Sequence, residues 1–330
     1  EIGIGDTIAD PANPVALPRI SVEEPTMSMV FKVNDGPFAG KEGKYVTSRN
    51  IRERLYREAY KNVSIRVEDT ETPDAFKVVG RGELQLAVIV ENMRREGYEL
   101  TVSNPEPILK KVNGETHEPM ELLVCDLPAD AVGGVTQSMG NRKGRMVDMQ
   151  PVGSRTRLQF RVPARGLIGF RGEFLTLTRG EGIMSSQFDG YEPWQGGINK
   201  RKNGAIVADR VGEVVAYAAN YCQERGALFV KPGDPVYPGM IVGEHSHEGD
   251  LDYNICKEKK LTNIRAAGRD ENVILTPPRD MGLEIALEWI AEDELVEATP
   301  KSIRLRKKFL DQTMRYKVER DRKKGVASEP

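Results

Sequence analysis

Apolar and polar side chains alternate through Met27–Val33, the pattern of a strand with one buried face. A Gly- and Lys-containing loop runs on to Lys44. Ile51, Leu55 and Ala59 then recur at helical spacing behind Ser48, a side chain suited to capping a first turn. Ser64–Val67 and Phe76–Val79 alternate as strands. Glu83–Glu96 carries an apolar stripe of Leu86, Ile89, Val90 and Met93, and Tyr98–Val102 reads as a closing strand. Gly97 stands where a helix wants a left-handed residue just past its end.

The resulting order, β-α-β-β-α-β across residues 25–106, is the split βαβ arrangement, in which two helices cover one face of a four-stranded antiparallel sheet. After Asn104–Pro107 the same order returns within residues 107–193. Strands are predicted at Met120–Cys125, Arg145–Val152, Arg157–Val162 and Ile183–Phe188. Helices are predicted at Ala129–Asn141, with Val132, Val135 and Met139 inward, and at Phe170–Thr178. The fold class is therefore α+β: two tandem ferredoxin-like units, followed over 194–316 by a mostly β domain with one or two helices. In that last region Val211–Ala219 reads as a strand running into a short helix that ends at Gly226. Leu228–Val230, Pro235–Tyr237 and Met240–Glu244 read as short strands turned by Pro232-Gly233-Asp234 and Pro238-Gly239. Leu283, Leu287, Ile290 and Ala291 make Gly282–Glu292 an amphipathic helix that Thr299 and Pro300 bring to a stop. Residues 1–24 are expected to be the trailing edge of an upstream domain with a linker, and 317–330 a basic tail.

Composition adds little until charge is mapped. No uninterrupted apolar run approaches the ~18 residues of a membrane span, so no membrane partner is expected. Three separated cysteines, Cys125, Cys222 and Cys256, argue against a disulfide framework and fit a reducing compartment. The formal net charge of −2 hides an asymmetry: Asp280–Glu297 carries seven acids and no base, whereas Lys301–Lys324 carries eleven bases against three acids. Two solvated faces that neutralise each other would account for it as well as a binding surface would.

Catalytic chemistry finds weak support. Gly36–Glu42 looks like a phosphate-binding loop, but it is one residue short between its glycines and has Glu42 where a Mg²⁺-binding Ser or Thr belongs. His245 and His247, with Asp250, Asp252 and Cys256 behind them, are a conceivable metal cluster and the basis of an alternative reading as a metal-dependent hydrolase. The remaining histidine, His117, stands in no nucleophile motif. No catalytic residue, metal site or cofactor is assigned to this chain.

Basic loops remain. They are Lys200-Arg201-Lys202, Arg142-Lys143-Gly144-Arg145, and the thirteen residues from Lys257 to Arg269. This last stretch offers Lys257, Lys259, Lys260, Arg265 and Arg269 for phosphates, and Thr262 and Asn263 for hydrogen bonds to 2′-hydroxyls. Together these residues are the candidate RNA-binding set. A protein-binding scaffold built on an acidic Gly282–Glu297 helix is the other alternative.

Two ferredoxin-like units behind Gly5-Asp6-Thr7-Ile8 resemble the third and fifth domains of translational GTPases of the elongation factor G type. The resemblance rests on Pro25-Thr26-Met27, Gly80-Arg81-Gly82-Glu83-Leu84, Asn141-Arg142-Lys143-Gly144 and Pro163-Ala164-Arg165-Gly166-Leu167. Beyond them, Gln223-Glu224-Arg225-Gly226, Gly239-Met240-Ile241-Val242-Gly243-Glu244, Lys259-Lys260-Leu261-Thr262-Asn263-Ile264-Arg265-Ala266 and Pro277-Pro278 resemble the C-terminal domain peculiar to the BipA (TypA) family. The resemblance implies a cytoplasmic, ribosome-associated GTPase acting in large-subunit assembly and in stress or cold adaptation. It implies that GTP or GDP with magnesium sits on a preceding domain, and that the fragment is a monomer without catalysis of its own. Its partners would be the large ribosomal subunit at the factor-binding region and A site, ribosomal RNA, and the acceptor end of transfer RNA, met by the Lys257–Arg269 loop.

Overall fold

Met27, Met29 and Phe31 share one face of β1 (Met27–Val33) and are buried there, as their alternation requires. The computed structural model describes residues 7–18, 24–198, 201–259 and 274–323. Behind β1 come α1 (Ser48–Lys61), β2 (Arg66–Asp69), β3 (Ala75–Gly80), α2 (Glu83–Arg95) and β4 (Leu100–Ser103), in the expected order. The cap of α1 is Thr47 instead of Ser48: its hydroxyl accepts from the Asn50 amide at 3.3 Å. Gly97, at φ 94°, takes the left-handed position past α2.

The chain then places β5 (Glu106–Pro107) against β1 and β6 (Lys110–Val112) against β7 (Glu115–Pro128). A 3₁₀ turn leads into α3 (Val132–Asn141), then β8 (Arg145–Val152) and β9 (Arg155–Pro163). A second 3₁₀ turn, at Ala164–Leu167, leads into α4 (Phe170–Leu177) and β10 (Ile183–Pro193). The strand order β10-β7-β9-β8 repeats the β4-β1-β3-β2 order of the first unit, so both are ferredoxin-like with fourth, first, third and second strands side by side. Leu123, Val135, Met139, Leu158, Phe160, Phe170 and Phe174 form the second unit's own core.

The last region holds β11 (Ala205–Ala208), β12 (Gly212–Glu213), α5 (Ala216–Gln223), β13 (Gly226–Leu228), β14 (Pro235–Val236), β15 (Met240–His245) and β16 (Leu251–Tyr253). After residue 273 come α6 (Leu283–Trp289), β17 (Glu294–Ala298), β18 (Ile303–Lys307) and α7 (Gln312–Lys323). The predicted Gly282–Glu292 helix is shorter, and strand β17 lies between it and Thr299.

Apart from a two-stranded β12–β14 pair, the strands of this region join the sheet of the first unit. Strand β17 pairs antiparallel with β4, matching Glu297 to Thr101 and Ala298 to Leu100. One sheet therefore runs β16-β11-β15-β18-β17-β4-β1-β3-β2. An exposed β4 edge would offer unpaired backbone groups, and β17 satisfies them. The cores merge as well: Leu100 and Val102 cluster with Ile241, Leu287, Val296 and Leu305.

Charge fills the seam. Glu297, fully buried, accepts from the Tyr237 hydroxyl at 2.7 Å and from Arg304 Nε at 3.1 Å, with Arg306 Nε at 3.3 Å. Arg304 also reaches Glu42 at 2.9 Å, and Arg306 pairs with Asp35. Burial works against the charged form of Glu42, yet Thr299 and Arg304 outweigh it and hold the carboxyl below its ordinary range. Lys307 is ringed by Asp250, Asp293 and Glu294 at 2.5–2.9 Å. Part of the opposed charge blocks is thus a buried network of Glu294, Glu297, Arg306 and Lys307, and Glu294 and Glu297 lie on β17 and not on the acidic helix that a scaffold reading needs.

Candidate nucleic-acid interface

The Lys257–Arg269 stretch leaves the described fold after Lys259 and returns by Ile274, so Lys260, Thr262, Asn263, Arg265 and Arg269 lie outside the described residues. Its two roots are well defined. On the outgoing side the Val215 amide donates to the Ile255 carbonyl at 3.1 Å, and Asn254 Oδ1 accepts from the Cys256 amide at 3.1 Å in a tight side-chain turn. On the returning side Gln223 grips the chain twice: its Nε2 donates to the Ile274 carbonyl at 3.1 Å, and its Oε1 accepts from the Thr276 amide at 3.0 Å. Val215 precedes α5 and Gln223 ends it. The roots therefore sit at opposite ends of an eight-residue helix, about 12 Å apart along its axis. Tyr253 ties the outgoing strand to α5 by donating to the Ala218 carbonyl at 3.2 Å. Lys257 and Lys259 are exposed at the outgoing root.

The other basic residues divide. Lys200 lies outside the described residues. Arg201 stacks on Trp289, its guanidinium carbon 3.8 Å from the ring centroid, and binds the buried Glu294 with contacts of 2.8 and 3.0 Å. Arg142 donates to the carbonyls of Gly166 and Ile168 at 2.9 and 2.8 Å and to Glu173 at 2.8 Å. Both guanidinium groups are committed to the fold; Lys202 and Lys143 are exposed beside them. Gly144 N donates to the Met139 carbonyl at 2.8 Å and Lys143 N to that of Gly140 at 3.2 Å, a Schellman ending of α3.

That ending puts Lys143 in the left-handed position at φ 63°, where glycine is the ordinary choice. Lys143→Gly is expected to leave thermal stability unchanged or raise it by up to about 1 kcal/mol, since left-handed strain offsets glycine's entropy cost. Calorimetry checks the sign.

The histidine cluster does not gather a metal set. His245 Nδ1 lies 2.9 Å from the Gly249 carbonyl, Asp250 is spent on Lys307 and the Ala205 amide, and Asp252 pairs with Arg315. Among the described residues no three His, Cys, Asp or Glu side chains converge. The Gly36–Glu42 loop does cradle an anion, but an internal one. The Gly40 and Gly43 amides and Asn34 Nδ2 donate at 2.8–2.9 Å to Glu99, a fully buried carboxylate. Its donors are turned inward, so a nucleotide phosphate does not fit this loop. Burial pushes the Cys125 and Cys222 thiols up to about 12, far from reactive thiolates. No helix among the described residues is long and apolar enough to cross a membrane.

Comparison with known proteins matches residues 203–312 to the TypA/BipA C-terminal domain and residues 115–202 to the elongation factor G C-terminus. A relative in Synechocystis sp. named "Large ribosomal subunit assembly factor BipA" is 53% identical over 308 residues, 93% of this chain and 52% of that protein. Relatives of the same name are 50% identical over 325 residues in Salmonella typhimurium, covering 98% and 54%, and over 322 residues in Escherichia coli K12, covering 97% and 53%. The chain belongs to the TypA/BipA family. It spans about half the length of the curated relatives it matches. The TypA/BipA match contains α5, both loop roots and the Gln223 clamp, whereas Arg142, Lys143 and Arg201 fall within the elongation factor G match.

Sequence reasoning missed Gln223 as the clamp and Glu99 as the anion in the glycine loop. Gln223 was singled out only as part of the Gln223-Glu224-Arg225-Gly226 run, and the signal for Glu99 was an acid between Tyr98 and Leu100.

Proposed function

We propose that this chain is the ribosome-binding part of a large-subunit assembly factor, which recognises RNA through a basic segment rooted on α5. The observation that carries the reading is that the residues flanking the Lys257–Arg269 stretch, 255–256 before it and 274–276 after it, are held at the two ends of one short helix inside the TypA/BipA C-terminal match. The lysines and arginines of the stretch supply phosphate contacts. Lys202 and Lys143 extend the cationic surface. Arg201 and Arg142 act by holding the elements that carry them.

The partners on this reading are the large subunit at its factor-binding region and A site, ribosomal RNA and the acceptor end of transfer RNA, met in the cytoplasm by a monomer. Guanine nucleotide and magnesium would be held by the part of the relatives that this chain does not span, because the glycine loop here is filled by Glu99. GTP hydrolysis, assembly and stress or cold adaptation would be properties of the whole protein.

Replacing Lys259, Lys260 and Arg265 together by alanine is expected to weaken association with large subunits. It should flatten the log–log salt slope by about 0.7 for each single-stranded RNA phosphate that is no longer neutralised. Unchanged co-sedimentation of that variant would remove the segment from the account.

A further inference from the structure

We propose that the C-terminal helix α7 is a second RNA-binding arm: a cationic ridge that grips phosphates of folded RNA beside the basic segment. The inference rests on the RNA-binding reading above and adds a site to it. Helix α7 lies almost wholly on the surface. Met314 and Tyr316 are 45% and 56% exposed, and Gln312, Thr313, Lys317, Glu319 and Arg320 are exposed as well. Twelve residues are too few for a stable helix in water without tertiary support, and burial of an apolar stripe is not what supports this one.

Its tethers are polar and gather at its first turn. Asp311 Oδ1 accepts from the Met314 amide at 2.9 Å, capping the helix. Asp252 on β16, its side chain 12% exposed, pairs with Arg315 and accepts from Gln312 Nε2 at 3.0 Å and the Tyr316 hydroxyl at 3.4 Å. Arg315 donates to the Leu310 carbonyl at 2.7 Å. The start of α7 is therefore clasped to β16, the strand that leads into the outgoing root of the basic segment, five residues before Lys257.

Past the clasp the sequence of the helix is cationic: Lys317, Arg320, Arg322 and Lys323 stand against Glu319 and Asp321. Lys317 and Arg320, three residues apart, share one helix face. The Arg320 side chain is 64% exposed, and its Nε lies 3.6 Å from Asp321, a long contact too weak to consume its charge. A helix end fixed by an aspartate, with a projecting basic face and an exposed tyrosine, suits the phosphates of a structured RNA better than an apolar protein groove.

The test compares the full chain with Lys317→Ala/Arg320→Ala and with Asp252→Ala, by co-sedimentation with large ribosomal subunits across a salt series, with circular dichroism checking the fold. The double variant should bind more weakly at low and moderate salt, with a log–log slope smaller by about 1 per cation removed. Asp252→Ala should bind more weakly although every cation remains. Affinity and slope equal to the parent's would overturn the proposal. So would a loss of affinity with the slope unchanged, which would point to a protein contact. If Lys257→Ala weakens binding and the helix variants do not, the arm falls and the ribosome reading stands. If the parent chain itself fails to bind at low salt, that reading falls and the arm with it.

Discussion

Glu297→Ala is expected to lower stability by about 3–5 kcal/mol, the cost of removing one partner from a buried ion network. Glu297 stands where β17 meets β4, and its removal strips an acceptor from Arg304, Arg306 and Tyr237 at once. Among the described residues the two guanidinium groups would keep Glu42 and Asp35, on the loop that follows β1, as carboxylate partners, with the Lys307 carbonyl at 3.3 Å from Arg306. The chain has two tryptophans, and Trp289 lies in the half that β17 joins to the first unit. Denaturant unfolding followed at Trp289 in a Trp194→Phe background measures the loss. A decrease under about 1 kcal/mol would mean that the seam is held by apolar packing and its backbone ladder alone. Gly36 gives a steric check on the same point, because a Cβ there would come 2.1 Å from Glu297 Oε1. Gly36→Ala should therefore disturb the same transition.

Arg165→Ala is expected to cost a similar amount, about 3–5 kcal/mol, in the second unit. Arg165 grips the fully buried Glu118 at 2.5 and 3.0 Å, donates to the Gly196 carbonyl at 2.6 Å, and stacks 3.7 Å from the Trp194 ring centroid. Without it Glu118 keeps the Gln195 amide, at 2.7 Å, and no cation among the described residues. Arg165→Lys should rescue only part of the loss, since an ammonium cannot make the bidentate pair and the planar stack together. Trp194 fluorescence in a Trp289→Phe background reads this half separately. An unfolding midpoint unmoved by Arg165→Ala would contradict the assignment of Arg165 as the unit's buried lock.

What was legible in the sequence follows from what each pattern depends on. Both ferredoxin-like units could be read because their strands alternate and their helices carry clean stripes, so local spacing reports the buried face. Strand β11 escaped because Ala205–Ala208 is apolar throughout and buried on both sides, which removes the alternation. Strands β17 and β18 escaped for the opposite reason. Glu294, Glu297, Arg306 and Lys307 look like solvated charges in sequence, and only their pairing across the seam makes them interior residues. The same pairing joins the last region to the first unit, a contact about two hundred positions apart that no local window contains. At the candidate interface, basic composition singled out the segment but could not separate Lys202 from Arg201 or Lys143 from Arg142. Neighbours in sequence have similar chemistry there, and only burial assigns one to the fold and the other to solvent.

The most direct test of the central claim is co-sedimentation of the purified chain with large ribosomal subunits from low to physiological salt. The account predicts binding at low salt that falls steeply, and linearly on a log–log plot, as counterion release weakens. Failure to pellet at low salt, or pelleting that salt leaves unchanged, would contradict an RNA-phosphate interface on this chain.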